Sequence, residues 1–125
     1  GNEHLDLVTL NRTGKISEIQ TAINWLNSNG FSDGAYYYAS AFGSYDDEVL
    51  DVMCELGILT HRTVEDDYVT NPPEDLLQLP DKEISGNHTL DQAKAIIDGA
   101  IATNTTAIIL LHELLKVTLT NGNGP

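Results

Sequence analysis

YASAFGSYDDEVLDVMCELGI, residues 38–58, decides how this chain folds. An aromatic stretch runs into Phe42-Gly43, and a helix opens at once on Asp46, Asp47 and Glu48. The free N–H groups and the dipole of a first helical turn favour negative charge there. The acids therefore mark a helix start rather than a catalytic pair. Val49, Leu50, Met53 and Leu56 follow at helical spacing as the buried stripe, and Gly57 is the stop signal. Ahead of the turn, residues 35–40 are short and aromatic, bounded by Asp33-Gly34 and Gly43, which predicts a strand. Tyr36, Tyr37 and Tyr38 alternate faces in such a strand, so at least one of them is core.

The same reading extends outward. Ile16, Ile19, Ile23 and Leu26 predict an amphipathic helix over 12–29, with Trp25 at the edge of its apolar face and Gly30 ending it. Residues 58–64 predict a second strand. Residues 65–88 hold Pro72-Pro73, Pro80 and many acids with little periodicity, and read as a long irregular loop of the kind that often carries function. Thr89-Leu90-Asp91-Gln92 has the form of a capping box, so a helix over 90–103 follows, burying Ala93, Ile96, Ile97 and Ala100. The apolar run 107–111 predicts a third strand buried on both faces. Residues 121–125 read as a frayed tail or a cut end. Strands separated by helices imply an α/β fold with a small parallel sheet, flanking helices and right-handed crossovers. In such sheets sites form beyond the C-terminal strand ends. Phe42-Gly43 and His112 both fall on that edge.

Composition narrows the partners. Six Lys and Arg stand against 19 Asp and Glu, a formal net charge of −13. That surface repels phosphate backbones and anionic membranes, which excludes nucleic acid as a partner, whereas a neutral ligand such as a sugar is compatible with it. No apolar run approaches the roughly 20 residues that span a bilayer, so membrane insertion is not expected. The single cysteine, Cys54, cannot form an internal disulfide and reads as a small buried hydrophobe. Three Asn-x-Thr sequons, at Asn11, Asn87 and Asn104, lean towards an extracellular or cell-envelope location. His61 and His88 fit no motif and are expected at the surface. Arg62, one of few cations, is expected to pair with a carboxylate.

Four stretches together resemble a known family. HLDLVTL from His4, YASAFGSYDDEVLDVMCELG, THRTVEDDYVTNPPEDLLQLP and DGAIATNTTAIILLHEL are similar, in this order, to the C-terminal half of metal-dependent polysaccharide deacetylases, the chitin and peptidoglycan deacetylases of carbohydrate esterase family four. The resemblance implies that residues 1–125 are one domain, a C-terminal part of a (β/α) barrel, with the barrel's remaining strands elsewhere. Three strands cannot close a barrel, so open sheet edges able to pair with a second copy are expected.

The resemblance also implies a chemistry: hydrolysis of N- or O-acetyl groups of an acetylated polysaccharide or oligosaccharide, assisted by a divalent metal, zinc first. On this chain His4 would be a metal ligand and His112 the general acid. Phe42 and Gly43 would form the groove wall, Leu110 would line the pocket for the acetyl methyl, and Tyr38 is the tyrosine placed to stack on a sugar ring. The Asp-Asp motif and the second His of the metal site would precede Gly1. Ala41 stands where the family's groove motif carries Pro, and Ala39 where some members have Arg. A glycan-binding or interaction module without chemistry, derived from the same fold, is the competing reading.

Overall fold

The computed structural model describes residues 4–112; the 121–125 tail lies outside them. In chain order the elements are α1 (Arg12–Ser28), β1 (Tyr37–Ala39), α2 (Asp47–Glu55), β2 (Thr60–Asp66), β3 (Leu79–Glu83), α3 (Leu90–Thr103) and β4 (Ile109–Leu110), with short 3-10 turns at Leu7–Thr9, Ser32–Gly34 and Ala41–Gly43. The four strands are parallel, in the spatial order β1-β2-β3-β4, and the sheet curls as half of a barrel does. Among the described residues no helix is long and apolar enough to cross a membrane.

Local signals explain most element ends. Asn11 caps α1 by accepting from the Gly14 N–H, and Asp46 caps α2 by accepting from the Val49 N–H. Thr89 and Gln92 form the expected reciprocal box at α3. α1 stops in a Schellman arrangement, with the Phe31 N–H on the Leu26 carbonyl and Gly30 at φ 82°. Its usual apolar contact is supplied by Trp25 stacked on Phe31, which accounts for two aromatic rings that are otherwise exposed. The core lies between α1, α2 and β1, where Leu7, Ile19, Ile23, Val49, Val52 and Met53 are at most 3% exposed. Tyr36 and Tyr38 pack against it while Tyr37 faces outward, as strand alternation requires.

Several expectations fail for identifiable reasons. Residues 65–88 are not wholly irregular, because they contain β3. Leu79–Glu83 lacks apolar alternation and carries Pro80, which cannot donate to a ladder. It is a strand because neighbours pair with it on both sides, Arg62 with Leu79 and Lys82 with Ile109, across a register shift in β2. β4 is shorter than the apolar run and only half-buried among the described residues. Cys54 is exposed rather than buried. α2 buries Val49, Val52 and Met53, which turns position 54 to solvent. Of the residues expected on the buried face of α3, Ala100 is buried and Ala93 and Ile96 are half-buried, but Ile97 is 45% exposed and the neighbouring Ile101 74%, so that face is only partly covered. His61 is fully buried, not at the surface.

Burial separates Ile19, in the core, from Ile101, which faces solvent. Ile19→Ala should destabilise by about 2–5 kcal/mol, from lost burial plus a cavity. Ile101→Ala should stay within about 0.5 kcal/mol. Urea unfolding midpoints of the two variants measure the difference.

Candidate functional site

The chain leaves β1 through Ser40 into the Ala41–Gly43 turn. Phe42 lies at φ 60° and Gly43 at φ 70°, two consecutive left-handed residues. Glycine is required at position 43 twice over. Its φ suits no β-carbon, and a Cβ there would collide with the Val64 methyls of β2. Phe42 has no such licence, and a non-glycine residue held there costs about 1–3 kcal/mol. Its ring is 68% exposed and meets the His4 ring edge-on, with centroids 4.9 Å apart. The turn's own bonds are modest: Gly43 N–H to the Ser40 carbonyl at 3.1 Å and Ser44 N–H to the Ala41 carbonyl at 3.3 Å.

Beside this turn lies a cavity of about 270 Å³ whose walls include His4, Glu18, Tyr38, Ser40, Ala41 and Arg62. Arg62 is fixed by the buried carboxylate of Asp81 and by the Thr63 carbonyl, the pairing expected of it. Burial, with the charge of Glu18, raises the Tyr38 pKa, so its hydroxyl stays protonated at neutral pH.

His112 follows β4 on the same C-terminal edge, 68% exposed on its side chain, with Nε2 3.9 Å from a Glu83 carboxylate oxygen. Leu110 lines a different cavity, of about 420 Å³, together with Asp66, Tyr68, Lys82, Glu83 and His88. β1 and β4 are the outermost strands, three strand spacings apart, roughly 14 Å at the usual separation. The structure thus brings His4, Phe42, Gly43 and Tyr38 to one end of the edge. It leaves Leu110 and His112 at the other.

Sequence reasoning missed Ser40 and His61. Nδ1 of His61 lies 2.8 Å from the Leu77 carbonyl, and Nε2 lies 2.9 Å from Ser40 Oγ. A carbonyl only accepts, so Nδ1 carries the proton and Nε2 accepts from the serine hydroxyl. The ring is neutral, and burial pushes its pKa down, aided by the Arg62 charge and opposed by the Leu77 carbonyl. Tyr45 meets it edge-on at 5.4 Å, and the Tyr45 hydroxyl, donating to Glu65 at 2.6 Å, is pushed up to about 12. A period-two reading of β2 puts His61 and Thr63 on one face. That was the available signal, though neither residue type marks a core.

Among the described residues no three His, Cys, Asp or Glu side chains converge on a metal-sized site. His4 offers one donor, so the residues described do not by themselves fit zinc. Comparison with protein-family models, with curated proteins and with solved structures returns no match to this chain.

Two expectations follow from this geometry. Gly43→Ala should cost about 2–5 kcal/mol, combining left-handed strain with overpacking. Adding Val64→Ala should recover the overpacking part alone, read from chemical denaturation of the single and double variants. The second concerns pH. The folded pKa of His61 is below its ordinary 6.5, so the unfolded chain takes up the proton first. Its stabilisation is complete above about pH 6.5 and is lost as pH falls through the folded value. The unfolding midpoint should therefore drop between about pH 7 and pH 5, and drop less in His61→Gln.

Proposed function

We propose that this chain forms one wall of the substrate groove of a glycan deacetylase, within a (β/α) barrel, acting on N- or O-acetyl groups of a polysaccharide. The observation that carries the reading is the exposed Phe42 ring, held in a left-handed turn at the C-terminal end of β1, against His4 and beside a cavity. An aromatic ring presented this way offers an apolar face to a sugar, and Tyr38 and Arg62 offer polar groups nearby. A neutral acetylated glycan also suits a chain of net charge −13 better than an anionic ligand does.

In this reading His112, exposed at the other end of the edge, is the general acid that gives a proton to the departing amine. Leu110 lines the acetyl pocket. His4 stands as one donor to the divalent ion, zinc, that the resemblance implies. The Asp and second His needed with it are not among the described residues. A glycan-binding module without chemistry is the second reading, favoured by that single donor. Among the described residues β1 and β4 are the outermost strands, where a second copy would add.

Titration with N-acetylated chitooligosaccharides, followed by NMR, tests the groove. Binding should perturb residues 40–43, and Phe42→Ala should weaken it about 3- to 10-fold, the worth of one aromatic contact. No binding, or equal affinity in Phe42→Ala, overturns the reading. The chain alone should release no acetate with or without added zinc; release would show that His4 belongs to a complete site.

A further inference from the structure

His61 belongs neither to the exposed groove surface nor to the proton donor, and Ser40 reaches the cavity only as part of its wall, yet the wall is built on them. Phe42 is strained, and its side chain is mostly in solvent, so packing of its own ring does not hold it. The turn needs anchors on either side of Phe42. Gly43 is wedged against Val64 on one side. Ser40 is the other anchor. It is 5% exposed, its carbonyl accepts the Gly43 N–H, and its hydroxyl is bonded to a fully buried imidazole.

We propose that His61 is the positioning residue of the groove wall, acting through Ser40 to hold Phe42 in its left-handed turn. The connection is continuous. The Leu77 carbonyl accepts a hydrogen bond from Nδ1–H, which leaves Nε2 as an acceptor; Nε2 accepts a hydrogen bond from the Ser40 hydroxyl; and the Ser40 carbonyl accepts the Gly43 N–H. The His61 N–H also donates to the Leu76 carbonyl at 2.9 Å. Residues 76–77, on the far side of β2 from β1, therefore fix the tautomer that receives Ser40. Tyr45 covers the ring and ties it to Glu65. The specific consequence is that the seat of the glycan depends on a residue that never touches it.

The effect on glycan affinity rests on the groove reading; the effect on the turn does not. In the wild-type chain, nitrogen chemical shifts of His61 should show Nδ1 protonated and Nε2 accepting. The Nε2–H tautomer would overturn the proposal outright, whatever the variants do. Ser40→Ala should weaken the Phe42–His4 nuclear Overhauser contacts, change the Phe42 backbone coupling, and lower affinity for acetylated chitooligosaccharides about 3- to 10-fold. Ser40→Thr keeps the hydroxyl and should restore all three. Unchanged Phe42 couplings in Ser40→Ala, or no restoration by Ser40→Thr, overturns the positioning role. A shifted turn with unchanged glycan affinity supports the positioning role and overturns the groove reading instead.

Discussion

The C-terminal edge of this sheet depends on one buried imidazole having both of its nitrogens satisfied. A polar group sealed from water without a partner costs about 1–3 kcal/mol, a large share of the stability of a chain this size. His61 avoids that cost only if β1 and residues 76–77 flank β2 in the observed register. Its neighbours obey the same rule. Thr63 donates to the Leu79 carbonyl, and Asp81 is paired with Arg62. Among the described residues no buried side-chain nitrogen or oxygen lacks a partner. A satisfied polar network of this kind specifies register more sharply than apolar contacts do, because a slip would strand several groups at once.

The acidic composition works through the same logic. Four of the six cations each join two elements: Arg12 and Lys15 bridge α1 to α2, while Arg62 and Lys82 bridge β2 to β3. Lys15 is the most demanding of them, with its side chain 2% exposed and its ammonium between Asp46 and Glu48. Its bond to Glu48, more than anything else, raises its pKa and keeps it charged. The acids that open α2 thus serve twice, completing the first turn of the helix and receiving a cation from α1. Scarce positive charge is placed at joints, and the surplus of negative charge is left facing water.

These joints show why some of the structure was legible in the sequence and some was not. Helix ends were legible because Asp46, Thr89, Gly30 and Gly57 act locally, within a turn of their own positions. The turn at Phe42-Gly43 was legible because glycine next to an aromatic at a strand end has few other readings. β3 was not, since Leu79–Glu83 owes its extended form to partners distant in sequence. His61 was not, since its burial is licensed by Ser40 and Leu77 and by nothing in its own neighbourhood. Cys54 and Ile97 were misread for the complementary reason. Periodicity states which residues share a face, and only the packing of other elements states whether that face is covered. Of the site, His4 and Phe42 are in contact and Tyr38 and Gly43 lie beside them. His112 shares their edge because parallel strands end together, but lateral order in the sheet is not encoded near any one strand.

The strain at Phe42 is the last link between this scaffold and a use for it. A phenylalanine that is mostly exposed gains little from burial, and one at φ 60° carries a conformational cost as well. Stability alone would favour glycine or asparagine there. The surrounding structure instead over-determines the turn, with Val64 closing on Gly43 and His61 holding Ser40. Such an arrangement makes physical sense if the ring has to stand in one place when something arrives. A ring already seated loses little freedom on contact, and the ordering cost has been met by folding. The polar interior of the sheet is what makes that seat rigid. The buried histidine and the exposed phenylalanine are therefore two ends of one device, the first giving up solvent so that the second can face it in a fixed direction.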